Sequence, residues 1–106
     1  MSYVETFDEL IKGLVNTERQ NEYGHPRYHF HRSACIKAQL QSCDDVTLRH
    51  VLEMIADKMA RLVHNPEHFD SWLDIAGYAR TALMVMDARE ETEKEMQNAM
   101  SRKDVE

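Results

Sequence analysis

Apolar residues recur at three- and four-residue steps in four segments of this 106-residue chain, which is the spacing of amphipathic helices. In the first segment they are Val4, Phe7, Leu10, Ile11, Leu14 and Val15. Ser2 precedes this segment and Glu5 lies within it, and together they have the S-x-x-E pattern of a capping box. We therefore predict a first helix over about residues 3–19.

Gly24 and Pro26 interrupt the chain after this helix, and residues 22–26 are predicted as a break. Pro26 suits the first turn of a helix, because its missing N–H would have no intrahelical partner there. A second, weakly amphipathic helix is expected over about residues 27–42.

The third segment carries a continuous apolar stripe that consists of Leu48, Val51, Leu52, Ile55, Met59 and Leu62. Asp44 or Asp45 can cap its start, and Asn65-Pro66 ends it. A fourth helix is predicted from about Glu67 or Phe69, and its sequence is apolar around most of the circumference.

The composition changes at Asp87, because residues 87–106 contain seven acidic and four basic side chains and few apolar ones. We expect a helical bundle domain over residues 1–86, followed by a charged extension over residues 87–106. The extension either continues the fourth helix to about Met100 or is frayed. Met96 and Met100, four residues apart, could alternatively form a narrow seam for a partner.

Composition supports an all-helical protein, because three Gly and two Pro are too few for the hairpins of a β sandwich or barrel. With 42% hydrophobic residues the chain can build one core, but a domain of this size buries a limited share of its surface. The predicted fold is all-α, an antiparallel bundle of about four helices. Self-association would bury more surface, so we expect a homo-oligomer.

The net charge of −6 excludes a protein that holds nucleic acid through a broad basic surface. Cys35 and Cys43, the two cysteines, form neither a zinc ligand set nor a disulfide framework, so reduced thiols are expected. The sequence also lacks a signal-peptide pattern and the run of about 20 apolar residues that spans a membrane. We expect a cytoplasmic protein that does not enter membranes.

A polar strip on the third helix is the first candidate for chemistry. His50, Glu53, Asp57, Arg61 and His64 fall opposite the apolar stripe on a helical wheel. This strip is either a solvated face with i,i+4 charge pairs or the polar wall of a cleft.

The fourth helix has a narrow polar strip that includes Asp70 and Asp74, four residues apart. Two carboxylates at this spacing repel each other, and on a mostly buried helix they require cations or a metal ion. Lys58 and Arg61, on the preceding antiparallel helix, are the candidate cations. The strip is therefore either a structural network that fixes helix register or part of a ligand site. Gly77, in the same helix, indicates a close approach by another helix or a ligand.

Residues 19–37 are locally basic, with four basic residues, one acidic residue and three histidines. Cations and aromatic rings near a helix N-terminus suit a phosphate and a base, because the N–H groups there are unpaired and rings can stack. Arg19, Tyr23, His25 and Arg27 are therefore candidates for binding a nucleotide or another phosphorylated ligand. Capping and ordinary surface roles are the alternatives for the histidines.

A longer pattern resembles a family of small phage and prophage helical proteins. It spans residues 19–86 and includes Glu22-Tyr23-Gly24, Lys58-Met-Ala-Arg61, Asn65-Pro66, His68 and the stretch DSWLDIAGYA from Asp70 to Ala79. The resemblance marks Lys58, Arg61, Asp70 and Asp74 as site residues, and Lys58, Arg61 and Tyr78 join the candidate nucleotide-binding set.

More distantly, two antiparallel helices with facing acidic and basic residues resemble the MazG-like nucleoside triphosphate pyrophosphohydrolases. In those helical assemblies, carboxylates bind Mg²⁺ and activate water. The resemblance implies Mg²⁺ as a cofactor and four candidate ligands, Glu53, Asp57, Asp70 and Asp74. Both pairs here are four residues apart rather than three, and two cations with two carboxylates suit nucleotide binding better than a full pyrophosphatase site.

Three functions remain open from the sequence. The first is a Mg²⁺-dependent nucleotide hydrolase in which Asp70, Asp74 and Lys58 are catalytic. The second is a protein that sequesters a nucleotide without hydrolysing it, and the third is a helical interaction protein with no small ligand. Nucleotide binding, with or without hydrolysis, is the preferred hypothesis.

Overall fold

The computed structural model describes residues 2–11 and 23–105, with side chains described as far as residue 102. Within these ranges the chain is all-helical and contains no strand, which confirms the predicted all-α class. The helices are α1 (Tyr3–Leu10), α2 (Pro26–Gln39), α3 (Val46–His64) and α4 (Phe69–Val105).

The predicted capping box starts α1. The Ser2 hydroxyl accepts a hydrogen bond from the Glu5 N–H at 3.1 Å, and the Glu5 carboxylate accepts one from the Ser2 N–H at 3.3 Å. The helix ends at Leu10, well before the predicted boundary, and Gly13, a poor helix former, follows shortly after it in the sequence. The rest of the predicted first helix, residues 12–19, lies outside the described residues.

Local signals in the sequence also set the starts of α2 and α3. Gly24 has a φ of +84°, in the left-handed region that favours glycine, and His25 then caps α2 with its side chain. Pro26 occupies the first turn of α2, as predicted. Asp45, the second of the two candidate caps, accepts a hydrogen bond from the Leu48 N–H at 3.1 Å and begins α3.

Helix α3 is the central helix, because it packs against both α2 and α4. Helices α3 and α4 are antiparallel, since Lys58 pairs with Asp74 near the turn and Asp45 pairs with Arg89 further from it. The buried apolar side chains of the described residues all lie on α3, namely Val51, Ala56, Ala60 and Leu62. Helices α2, α3 and α4 thus form an antiparallel row, and the closed four-helix bundle stays a prediction.

Helix α4 is one continuous helix of 37 residues, about 55 Å long, so the predicted continuation past Met86 to Met100 is confirmed. Helix α3 has 19 residues, and the described side chains of α4 beyond Arg89 are exposed. The radius of gyration is 21.0 Å, whereas a compact chain of this length has about 13 Å. Despite its length, α4 lacks the apolar character needed to cross a bilayer, and so do the other described helices.

Much of α4 is exposed, although its apolar sequence predicts a mostly buried helix. Ser71 is fully buried, but Phe69, Trp72, Leu73 and Leu83 are 71%, 55%, 57% and 58% exposed. The reason is that α4 turns one side toward α3, while its opposite side has no neighbouring helix among the described residues. A Cβ added at Gly77 would also have no neighbour within 4 Å, so the described chain does not make the close approach that this glycine predicts.

Candidate functional site

Five side chains form what we call the Arg61 cluster, and they come from the segment before α2, the first turns of α2, the end of α3 and the following turn: Tyr23, His29, Arg61, His64 and His68. The Arg61 guanidinium carbon lies 4.1 Å from the centre of the Tyr23 ring, within cation–π distance. The Tyr23 ring also meets the edge of His68 at a centre-to-centre distance of 5.5 Å and stacks toward His29 at 6.5 Å. Tyr23 therefore connects α2, α3 and the turn before α4.

Two further contacts hold the histidines of the cluster. Gly24 passes so close to His64 that a Cβ at position 24 would lie 3.0 Å from its Nδ1 atom. The Nδ1 atom of His68 lies 2.8 Å from the hydroxyl of the buried Ser71, within hydrogen-bond distance. The backbone before α2 and the first turn of α4 thus fix where these rings lie.

Arg61 and His29 each carry a buried side-chain nitrogen. Neither Arg61 Nε nor His29 Nδ1 has a hydrogen-bond partner among the described residues. Burial, and after it the positive charge of Arg61, lowers the pKa of His29 below its usual 6.5. His29 is therefore neutral at neutral pH.

Asp57 on α3 binds two side chains of α2. Its carboxylate accepts a hydrogen bond from the Ser33 hydroxyl, and Lys37 Nζ lies 3.0 Å from the same oxygen. Burial favours the neutral acid, but the hydrogen bonds from Ser33 and Lys37 outweigh it and lower the pKa of Asp57. Asp57 is therefore an ionised link between α2 and α3.

Lys58 and Asp74 form the contact between α3 and α4 that the sequence predicts. Lys58 Nζ lies 3.0 Å from Asp74 Oδ2, and the Lys58 side chain is mostly buried. Asp70, one turn earlier on α4, is exposed. Arg61, the other predicted cation, stacks on Tyr23 instead of joining this pair.

Two of the predicted nucleotide-binding residues, Tyr23 and Arg61, are brought together in the Arg61 cluster. Tyr78 is half-buried, one turn after Asp74 on α4. Arg19, which belongs to the same predicted set, lies outside the described residues.

His25 and Arg27, also predicted to bind the ligand, make local contacts at the start of α2. His25 accepts a hydrogen bond from the Arg27 N–H at 3.1 Å, which is the capping role considered as its alternative. The Arg27 guanidinium carbon lies 5.6 Å from the centre of the Tyr28 ring. These two side chains therefore stabilise the helix start.

Three of the four carboxylates predicted to bind Mg²⁺ each lie beside their own cation, in the pairs Glu53–Arg49, Asp57–Lys37 and Asp74–Lys58. In the described part of the chain, no group of three or more His, Cys, Asp and Glu side chains is arranged to hold a metal ion. As arranged, these carboxylates do not converge on one ion, and the Mg²⁺ site stays a prediction.

The sequence argument missed Ser33 and Lys37 as partners of Asp57. The available signal is their spacing, because His29, Ser33 and Lys37 lie four residues apart and share one face of α2. Helix α2 lacks a clear apolar stripe, so its hydrophobic pattern does not identify this face as the one that packs.

Comparison with known proteins connects this geometry to a family. The pattern of DUF6378, a domain of unknown function, matches residues 9–86, which include the Arg61 cluster, Asp57 and the Lys58–Asp74 pair. The Gene 55 protein of Mycobacterium phage D29 is 34% identical to this chain over 77 residues, covering 71% of this chain and 50% of that protein.

The chain thus spans about half the length of this phage relative. No solved structure matches the chain. Because the family pattern covers most of the chain and a phage protein shares a third of the aligned residues, the chain belongs to the DUF6378 family, which has relatives in phages.

Proposed function

We propose that this chain binds a nucleotide or another phosphorylated small molecule at the Arg61 cluster. The observation that carries this proposal is the state of Arg61, whose guanidinium lies against the Tyr23 ring while its buried Nε has no hydrogen-bond partner among the described residues. A side chain held in this way is preorganised, so little conformational entropy is lost when an anion binds.

The chemistry of the cluster suits a phosphate group. Arginine presents several N–H donors in one plane, and phosphate oxygens accept charge-assisted hydrogen bonds from such a group. Tyr23 places an aromatic ring beside the guanidinium, and His68 lies beside that ring, so a base could stack here. A cytoplasmic location, as expected from the sequence, would suit a ligand of this kind.

Hydrolysis of a nucleoside triphosphate by a MazG-like bundle is the narrower form of this proposal. It is favoured by the antiparallel pairing of α3 and α4, which brings Lys58 and Asp74 together. It also requires Asp57 and Asp74 to exchange their lysine partners for Mg²⁺. Binding without hydrolysis needs no such exchange, so it is the form that we prefer.

The binding proposal is tested by thermal unfolding of the full chain with inorganic phosphate, pyrophosphate and a panel of nucleoside mono-, di- and triphosphates. A ligand present at about 100 times its Kd would raise the free energy of unfolding by about 2.7 kcal/mol. We expect R61M to lose this stabilisation. R49M, which removes an arginine of the same helix that pairs with Glu53, is the matched control and is expected to keep it.

The absence of stabilisation by every phosphorylated compound would contradict the proposal, and so would equal stabilisation of R61M and the unchanged chain. The hydrolase form is tested separately by measuring pyrophosphate release with and without Mg²⁺. Release that depends on Mg²⁺ and is lost in D74N would favour hydrolysis, and binding without release would favour sequestration.

A further inference from the structure

We propose that the exposed side of α4 packs against the same side of α4 in a second copy of this chain, with the two helices antiparallel. The residues concerned, which we call the α4 seam, are Phe69, Trp72, Ala76, Ala79, Leu83 and Met86. This interface is separate from the Arg61 cluster, so it does not depend on the ligand proposed there.

The spacing of the α4 seam is the first argument. Its members follow one another at alternating steps of three and four residues, which is the repeat of the a and d positions of a coiled coil. Every one of them is apolar and exposed, and Phe69, Trp72, Leu83 and Met86 remain 71%, 55%, 58% and 44% exposed. A seam of this kind is typical of a helix that packs against another helix.

The order of side-chain sizes identifies that helix as a second copy. Along α4 the α4 seam runs from two large side chains through Ala76 and Ala79 to two large side chains again. This order reads the same in both directions. An antiparallel copy, related by a two-fold axis between Ala76 and Ala79, would therefore meet small residues with small ones and large with large.

A cavity beside Trp72 supplies room for such packing. It has a volume of about 470 Å³, lies between α3 and α4, and is lined by apolar side chains that include Ile55, Met59 and Val63. Trp72 is fixed at its edge, because the indole N–H donates a hydrogen bond to the Pro66 carbonyl at 2.9 Å. In the antiparallel arrangement, Leu83 of the second copy would lie opposite Trp72 and next to this cavity.

The chain exposes more surface than a compact protein of its mass. It amounts to 8790 Å², whereas a compact protein of 12.4 kDa has about 6,100 Å². The excess is several times the area of about 800 Å² that each partner buries in a standard interface. Burying the α4 seam would bring the chain closer to the surface expected for its mass.

The molar mass of the full chain, measured by light scattering over a wide range of concentrations, is the first test. We expect twice 12.4 kDa at high concentration. L83E places a charge in the α4 seam and is expected to weaken dimerisation by about 30-fold or more. M84E is the matched control, because Met84 is the next residue of α4 and is 53% exposed but lies outside the α4 seam.

Trp72 is the chain's single tryptophan, so fluorescence reports on the interface without any substitution. We expect its emission to be shielded from acrylamide in the dimer and to become quenchable on dilution, or in L83E whose fold is checked by circular dichroism. A mass of 12.4 kDa at every concentration would overturn the proposal. A dimer that keeps Trp72 fully quenchable, or that L83E and M84E weaken equally, would also overturn it.

Discussion

The face of α3 that meets α2 and the α4 seam differ in the kind of contact that the single chain makes there. On the first, Asp57 binds Ser33 and Lys37. On the second, Trp72 and Leu83 remain more than half exposed. Removing the partner of a buried polar group costs about 1–3 kcal/mol, so the pairing of Asp57 with Ser33 and Lys37 is specific within one chain. Exposed apolar side chains leave no hydrogen bond unmade, so the single chain can fold without burying them. A partner can bury them afterwards.

The largest effect on stability is expected from D57A. This substitution leaves the partly buried Lys37 and Ser33 without their common acceptor, and we expect the free energy of unfolding to fall by about 2–3 kcal/mol. E53A removes a longer i,i+4 pair with Arg49 on the same helix and is expected to cost about 0.5 kcal/mol or less. Urea unfolding followed by circular dichroism measures both, and equal losses would contradict the specific role of Asp57.

Ala60 tests how tightly the packed side of α3 is filled. Its side chain is fully buried, so we expect A60L to destabilise the fold by about 1–3 kcal/mol through overpacking. Val63, on the same helix, is 61% exposed, and V63L is expected to change the free energy of unfolding by less than about 0.5 kcal/mol. The same unfolding measurement applies. An unchanged free energy of unfolding in A60L would show that the packed side of α3 can accommodate a larger side chain.

The lowered pKa of His29 predicts that the free energy of unfolding depends on pH through the contact between α2 and α3. Because its pKa is lowered in the fold, the unfolded chain binds a proton more readily as the pH falls below 6.5. The free energy of unfolding is therefore expected to decrease from pH 6.5 down to the lowered pKa. H29Q should lack this part of the decrease, and H31Q, at an exposed position of α2, should keep it. An NMR titration showing His29 at or above 6.5 would contradict the burial argument.

The smallest effect is expected from removing residues 95–106. The described side chains in this range are exposed, so the free energy of unfolding should change by less than about 0.5 kcal/mol, while the helical circular dichroism signal decreases. Removing residues 89–106 also deletes Arg89 and its pair with Asp45, so this deletion should destabilise more. A large loss from the shorter deletion would show that the extension contributes to the folded domain.

Helix ends were predictable from the sequence because each depends on a few neighbouring residues. Ser2, Pro26 and Asp45 mark three helix starts, and Asn65-Pro66 marks the end of α3. These residues act through backbone hydrogen bonds within one turn, so no knowledge of the tertiary fold is needed. The end of α1 was missed, because the apolar spacing continues past Leu10.

Side-chain partners were predictable only where the relative orientation of two helices could be inferred from the sequence. The short turn between α3 and α4 makes them antiparallel, and this was enough to name Lys58 as a candidate cation for the carboxylates of α4, of which it pairs with Asp74. The face of α2 that packs was not predictable, so the link from Asp57 to Ser33 and Lys37 was missed. Apolar spacing on α4 indicated a surface that favours burial, but it did not reveal that this surface stays open within one chain.

The carboxylate of Asp45 both caps α3 and pairs with Arg89 of α4. This double role constrains how the hairpin of α3 and α4 can change in length. It caps the first turn of α3 through the Leu48 N–H and binds Arg89 in a two-pronged ion pair, with distances of 2.5 and 3.0 Å. Arg89, followed by the Leu48 N–H, holds the pKa of Asp45 well below its usual range. An insertion between positions 45 and 89 would rotate one side chain away from the other, unless both helices changed by matching whole turns. Relatives that conserve this pair should therefore vary in length beyond Arg89 and hardly at all between positions 45 and 89.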